Sequence, residues 1–220
     1  MSHRPFKERL YREFARIGTA LASDRRLELL DLLAQGPRHV EALAAEAEMS
    51  VANVSQHLQI LRQAKLVETE RRGTKVLYRL ADPSVLDLWL ALRSVAEARL
   101  AEVEQVARVF AVEGANGGEL PREELQRLIK KGGALLIDVR PAVEYQSGHL
   151  PGALSIPVEE LPKRLKDLPR GQRIVAYCRG AYCLFADEAV ALLRKRGFDA
   201  HRLEGGWPEW QAEGRPVVLD

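Results

Sequence analysis

Two cysteines, Cys178 and Cys183, lie in the stretch AYCRGAYC and are the only thiols of this 220-residue chain. A cysteine in a short loop can attack sulfur as a thiolate, form a disulfide with a second cysteine, or hold a metal ion. The spacing alone leaves open a nucleophile, a disulfide, a metal clip and two buried thiols.

Two of these alternatives find little support in the surrounding residues. Zinc takes four ligands, and only His149 and His201 are nearby residues of a suitable type. A phosphatase-like loop would need an arginine where this chain has Leu184. We therefore expect neither a metal site nor a cofactor.

The segments around the cysteines predict where they lie in the fold. Cys178 ends the apolar stretch IVAYC, and the amphipathic stretch LFADEAVALLRKRGF follows Cys183. A strand, a loop and a helix in this order are typical of an α/β domain with a largely parallel sheet, which binds ligands beyond the carboxyl ends of its strands. Inward-facing loop N–H groups and the start of the next helix would lower the pKa of Cys178. Arg179 is a further candidate for positive charge beside the thiol.

Four motifs in this half resemble those of the rhodanese (sulfurtransferase) domain, over residues 121–220. They are IDVR (137–140), EYQSGHLPGA (144–153), YCRGAYC (177–183) and LEGGWPEW (203–210). The resemblance implies that Cys178 accepts sulfane sulfur as a persulfide from a small donor and passes it to a thiol acceptor. It also implies scaffold roles for the charged residues of the first two motifs, and an active-site loop formed by Arg179, Gly180, Ala181, Tyr182 and Cys183.

The loop departs from that pattern at its end. Rhodaneses that use thiosulfate usually carry a basic residue and then a hydroxyl residue where this chain has Cys183 and Leu184. This departure argues against thiosulfate as the donor. Cys183 either forms a disulfide with a modified Cys178 or is a small buried side chain.

The first half of the chain is mostly helical by its apolar spacing. In MSVANVSQHLQILRQAKLV, Ser50 is a candidate N-cap, and a buried stripe is predicted at Val51, Val54, Leu58 and Leu61. The stretch LVETERRGTKVLYRL then predicts a hairpin with Gly73 at its turn.

These elements resemble the winged helix-turn-helix of the ArsR family of homodimeric bacterial repressors, over about residues 14–80. The resemblance implies binding to operator DNA, with a helix in the major groove and the wing against phosphates. The candidate DNA-binding residues are Asn53, Ser55, Gln56, His57, Arg71, Arg72 and Lys75. The cysteines and histidines with which many members sense metals are missing from the corresponding helices.

The predicted fold class is two domains, a mainly-α winged helix-turn-helix followed by an α/β rhodanese-like domain. A helical run from Ser84 to about Ala111 carries more apolar residues than a small domain needs to cover, which predicts a homodimer seam with the N-terminal helices. The glycine-rich EGANGGELP marks a linker. The predicted divisions are residues 1–112, the linker 113–121 and residues 122–220.

Composition restricts the class of protein further. A net charge of +2 with 46% hydrophobic and 29% charged residues is typical of a soluble globular protein. No apolar run approaches the roughly 18 residues that span a bilayer, and the N-terminus lacks a signal-peptide core. We predict a cytoplasmic transcriptional repressor in which Cys178 senses or transfers sulfur. The alternatives are a sulfurtransferase tethered to DNA and a Cys178–Cys183 disulfide switch.

Overall fold

The computed structural model describes residues 3–73, 75–110 and 118–219, without the side chains of Arg72, Lys75 and Lys130. The chain divides into two compact units, Met1–Ala91 and Leu92–Asp220. Most of the predicted linker, residues 113–117, lies outside the described residues. The predicted domain boundaries therefore stay predictions.

The first unit contains helices and one hairpin. Its elements are α1 (Arg4–Leu21), α2 (Asp24–Leu33), α3 (Val40–Glu46), α4 (Val51–Gln63), β1 (Val67–Arg72), β2 (Lys75–Leu80) and the start of α5 (Pro83–Arg99). Leucines of α2, α3 and α4 form its core, with Leu29, Leu43 and Leu58 fully buried. This burial is the main source of stability for such short helices.

Helix α4 begins where the sequence predicts. The Ser50 hydroxyl accepts a hydrogen bond from the Asn53 backbone N–H at 3.2 Å, as an N-cap does. Val54, Leu58 and Leu61 are fully buried. The prediction was wrong at Val51, which is 44% exposed, because the core contact of α4 begins one turn after its first residue.

The predicted hairpin is confirmed. Strands β1 and β2 pair antiparallel from Val67↔Leu80 to Arg72↔Lys75. Gly73 at the turn has a φ of +64°, a conformation that glycine adopts without steric cost. Backbone hydrogen bonds between Arg38 and Tyr78 attach β2 to the segment before α3.

The helical run predicted for Ser84 to about Ala111 is two helices in the structure. Helix α5 ends at Arg99 and α6 spans Ala101–Val109. Leu100 between them has extended backbone angles, φ −110° and ψ 103°, which interrupt the helical hydrogen bonding.

The second unit contains a five-stranded sheet. Its strands are β3 (Glu119–Leu120), β4 (Ala134–Asp138), β5 (Leu154–Ser155), β6 (Arg173–Tyr177) and β7 (Ala200–Leu203). Their order is β3-β7-β6-β4-β5, and each neighbouring pair is parallel. The connecting helices are α7 (Arg122–Lys130), α8 (Ala142–Ser147), α9 (Leu161–Arg164), α10 (Leu184–Lys195) and α11 (Trp207–Ala212).

Both faces of this sheet are covered. On β6, Ile174 and Ala176 join the apolar cluster of α10, and Val175 and Tyr177 join that of Trp207 and α7. Strands buried on both faces read as continuous apolar runs, as IVAYC does. The centre of the sheet is thus a rigid support for whatever follows β6.

Candidate functional site

The cysteine loop lies at the carboxyl end of the central strand. Cys178 directly follows β6, and Cys183 is the residue before α10. The Cys183 backbone N–H donates to the Gly180 carbonyl at 3.2 Å, which closes a tight turn. Gly180 has a φ of +139°, so a side chain at this position would strain the turn.

The backbone of the cysteine loop packs closely against Gly206, a residue that was not predicted to be part of the site. A Cβ atom at Gly206 would lie 2.4 Å from the Cys178 carbonyl oxygen and 2.5 Å from the Gly180 nitrogen. The next residue, Trp207, donates its backbone N–H to the same carbonyl at 3.0 Å. The paired glycines of LEGGW were the sequence signal for this close approach.

Arg202 of β7 is the second residue that sequence reasoning missed. Its guanidinium donates to the carbonyl oxygens of Gly180 at 3.0 Å and Ala181 at 2.5 Å. An ion pair with Asp187 of α10 at 2.7 Å fixes its position. The positive charge acts to lower the pKa of Cys178, although burial outweighs it. A basic residue at the end of a strand beside the cysteine strand is the signal that could have found it.

Arg179 points away from the loop interior. Its guanidinium pairs with Glu144 at 2.5 Å and lies 5.4 Å from the centre of the Phe185 ring. The Glu144 side chain has no exposed surface. Arg179 therefore compensates a buried carboxylate, and the cation closest in effect to Cys178 is Arg202.

The Cys178 thiol is completely buried, with 0% of its surface exposed. Burial, followed by its hydrogen bond to Cys183, raises the pKa of Cys178 well above the usual range. The predicted lowering of this pKa by the loop N–H groups is wrong for the resting loop. Loss of solvation outweighs the Gly180 backbone group and the charge of Arg202.

The pKa of Cys183 is lowered, whereas that of Cys178 is raised. The hydrogen bond from Cys178 lowers its pKa most, and backbone N–H groups of Arg179 and Phe185 lower it further against the opposing effect of burial. Its side chain is partly exposed, and neither cysteine forms a disulfide in the structure. The two thiols are thus neighbours that differ in acidity and access.

The charged residues of the first two motifs form ion pairs and hydrogen bonds with one another and with nearby carbonyl groups. Arg140 forms a fully buried ion pair with Asp138 at 2.6 Å and donates to the Gly148 carbonyl at 2.8 Å. His149 Nδ1 lies 3.0 Å from the carbonyl of Tyr145. All these contacts are made within the scaffold.

The candidate DNA-contacting residues differ in solvent exposure. Asn53 and Gln56 of α4 are exposed, and so is Arg71 of the hairpin. Ser55 and His57 are half-buried, and the Nδ1 atom of His57 is buried without a hydrogen-bond partner among the described residues. The side chains of Arg72 and Lys75 lie outside the described part of the structure.

Neither a metal-binding cluster nor a membrane-spanning helix is present in the described part of the chain. Residues 3–73, 75–110 and 118–219 hold no group of three or more histidine, cysteine, aspartate or glutamate side chains placed to bind a metal ion. None of the described helices is long and apolar enough to cross a membrane.

Comparison with known proteins identifies both units. Residues 23–69 match the family described as bacterial regulatory protein, arsR family, and residues 121–213 match the rhodanese-like domain. The HTH-type transcriptional regulator Rv0324 of Mycobacterium tuberculosis is 45% identical over 96% of this chain and 92% of its own length. A sulfurtransferase of Allochromatium vinosum is 33% identical over 46% of this chain and 94% of its own length.

A solved structure also resembles the N-terminal part. The homodimeric winged helix-turn-helix DNA-binding domain of Mb0332 from Mycobacterium bovis is 43% identical, covers 46% of this chain and 93% of its own, and aligns with a TM-score of 0.43. The identity to Rv0324 along nearly the whole chain shows the family. The chain belongs to the arsR family of bacterial regulatory proteins and is a transcriptional regulator with a C-terminal rhodanese-like domain.

Proposed function

We propose that this regulator is a cytoplasmic homodimer whose affinity for operator DNA changes when Cys178 accepts a sulfane sulfur. The observation that carries the proposal is the position of Cys178. It follows the central strand of a rhodanese-like domain, beneath a loop held by Arg202 and Gly206.

The DNA contact is proposed for α4 and the hairpin. Asn53 and Gln56 expose amide groups, which can hydrogen-bond to base edges in the major groove. Arg71 exposes a guanidinium beside the turn, where a phosphate contact would fix the orientation of the domain on the duplex. Ser55, His57, Arg72 and Lys75 complete the proposed set.

The loading step moves one sulfur atom. The Cys178 thiolate attacks the outer sulfur of a persulfide R–S–SH, the S–S bond of the donor breaks, and R–S⁻ leaves with the electron pair. The product is Cys178–S–SH. Inorganic polysulfide and small-molecule persulfides are donors of this class.

A sensing role is favoured over rapid turnover by the state of the acceptor thiol. Cys178 has no exposed surface, and burial keeps it mostly protonated at neutral pH. An enzyme with a freely accessible thiolate would load and unload quickly. We therefore propose slow single loading, with sulfur transfer to a small thiol acceptor as the alternative activity.

The test is a DNA-binding titration by fluorescence anisotropy, on a duplex that the untreated protein selects from a random pool. Wild-type protein and Cys178→Ser are titrated with and without prior exposure to inorganic polysulfide. We expect at least a fivefold change in Kd for the treated wild type and none for the variant, a coupling of about 1 kcal/mol.

Two outcomes would contradict the proposal. Equal DNA affinity in all four conditions would remove the regulatory coupling. Steady sulfur transfer from polysulfide to a small thiol at an ordinary enzyme rate of about 10 per second would favour the sulfurtransferase.

A further inference from the structure

The second cysteine of the loop is part of the same site as the first. The Cys178 thiol donates to the Cys183 carbonyl oxygen at 3.3 Å, and Cys183 packs against the apolar cluster that contains Cys178. Neither sulfur is in a disulfide. The two cysteines therefore contact each other across the loop without a covalent bond between their sulfur atoms.

The loop lowers the pKa of Cys183 and raises that of Cys178, so Cys183 is the more acidic thiol of the pair. Hydrogen bonding by Cys178 and by the backbone N–H groups of Arg179 and Phe185, together with the charge of Arg179, lowers the pKa of Cys183. Phe185 belongs to the first turn of the 12-residue helix α10, where unpaired N–H groups favour an anion. Cys178 is the proton donor of the pair, because its burial opposes ionisation.

The two cysteines also differ in solvent exposure. Cys178 is sealed beneath the loop, and the Cys183 side chain is partly exposed. A thiol that is the more acidic of the pair, partly exposed and in contact with the sulfur-accepting residue is placed to react with whatever that residue receives.

We infer that Cys183 is the resolving thiol of this site: it displaces the sulfur loaded on Cys178 as hydrosulfide and leaves a Cys178–Cys183 disulfide. This inference rests on the loading of Cys178 proposed above. It assigns a reaction to a residue that thiosulfate-using rhodaneses usually replace with a basic side chain.

The step balances without another oxidant. The Cys183 thiolate attacks the Sγ atom of Cys178–S–SH, a bond forms between the two cysteine sulfurs, and the bond to the outer sulfur breaks. The outer sulfur leaves as HS⁻ with the electron pair. The sulfane sulfur is reduced to sulfide, and the two cysteines are oxidised to a disulfide.

The disulfide would outlast the persulfide as a signal. It joins the end of β6 to the start of α10, so the turn at Gly180 is closed covalently. A thiol reductant is required to restore the resting loop. The site would thus record exposure to sulfane sulfur and release one hydrosulfide for each chain that responds.

The experiment follows sulfide release and protein mass after exposure to inorganic polysulfide, once excess donor and all small thiols have been removed. Full-length wild type, Cys183→Ser and Cys183→Ala are compared. For the wild type we expect a loss of about 2 Da, one sulfide per chain, and a cross-linked peptide that holds both cysteines. For both variants we expect a stable gain of about 32 Da on Cys178 and no sulfide.

A second measurement tests the resting state. With limiting iodoacetamide at neutral pH, wild-type Cys183 should be alkylated at least tenfold faster than Cys178. Faster alkylation of Cys178 would overturn the assignment of Cys183 as the more acidic and more accessible thiol, and with it the resolving role.

Failure of the resolving role and failure of sulfur loading would give different results. A wild-type persulfide as long-lived as that of Cys183→Ser, with no sulfide released, would overturn the resolving role and leave sulfur loading intact. No mass change in the wild type or in either variant would contradict the loading itself.

Discussion

The positive charge that acts on Cys178 comes from Arg202, across the sheet, rather than from Arg179, its neighbour in the chain. Arg202 donates to two loop carbonyls and pairs with Asp187. Arg179 pairs with the buried Glu144. The two arginines therefore act on different groups: Arg202 acts to lower the pKa of Cys178, and Arg179 pairs with Glu144 and lowers the pKa of Cys183.

Replacement of Arg202 should slow sulfur loading. We expect Arg202→Gln to load Cys178 about tenfold more slowly than wild type at neutral pH, a loss of about 1.4 kcal/mol. The substitution removes the charge that lowers the pKa of Cys178, so the rise of the loading rate should move to higher pH. Time-resolved mass spectrometry across a pH series measures both effects.

Arg202→Lys and Arg179→Gln are the matched controls. The lysine keeps the charge and should restore the position of the pH profile. Arg179→Gln removes one of the charged partners of the buried Glu144 carboxylate, so it should lower the free energy of unfolding by about 2 kcal/mol and leave the pH profile in place. An Arg202→Gln profile identical to that of wild type would contradict the role of Arg202.

The sequence predicted where Cys178 lies in the fold but not the direction in which its pKa is shifted. Cys178 was predicted beyond the end of a strand from the apolar run before it, and the structure confirms that position. The acidity of the two thiols depends on burial and on contacts across the loop, which a linear pattern does not contain. Arg202 and Gly206 act through contacts more than 20 residues away in the chain.

The segment between β7 and α11 contacts the cysteine loop and helps to set its shape, in addition to β6 and α10, which flank the loop in the chain. Gly206 contacts the backbone of both Cys178 and Gly180. Trp207 is hydrogen-bonded to the Cys178 carbonyl and buried beside Arg140. The LEGGW motif therefore shapes the site without contributing a reactive group.

Gly206→Ala should deform the loop. The added methyl group would collide with backbone atoms rather than with a mobile side chain, so we expect a loss of about 1–3 kcal/mol in the free energy of unfolding and slower loading of Cys178. Gly18→Ala is the control, since a Cβ atom there meets nothing within 4 Å. Chemical denaturation and mass spectrometry measure the two effects, and normal loading in Gly206→Ala would show that the loop does not need this close contact.

The hairpin of the first unit was predicted with its turn, because an alternating pattern on either side of a glycine is a local signal. The role of its charges in DNA binding stays a prediction. Arg79 lies in the same hairpin but forms ion pairs with Glu68 and Glu70. Arg71 has an exposed side chain beside the turn.

Arg71→Ala should weaken DNA binding without a change in sequence preference. A lost phosphate contact lowers the slope of log Kd against log salt by about one and raises Kd for every sequence alike. Arg79→Ala is the control on the same hairpin and should change the slope by much less. Anisotropy titrations over a range of salt concentrations measure the slope, and equal slopes for Arg71→Ala and wild type would exclude the contact.

For the whole molecule, the two units have separate cores, one of helices and one around the parallel sheet. Several large apolar side chains lie outside these cores and are exposed to solvent. On α5, Leu88, Leu92 and Val95 follow helical spacing and remain exposed, Val95 by 64%. An exposed stripe of this kind on one helix is typical of a surface that a second copy covers.

Leu92→Glu should therefore shift the protein from dimer to monomer. A charge placed in an apolar interface is costly to bury, so we expect the dimer to dissociate at least tenfold more readily and the affinity for a two-fold symmetric operator to fall with it. Ser94→Glu places the same charge on an exposed position of α5 outside the stripe and should leave the dimer intact. Sedimentation at several concentrations gives the dissociation constants, and a Leu92→Glu dimer as tight as that of Ser94→Glu would show that the subunits meet elsewhere.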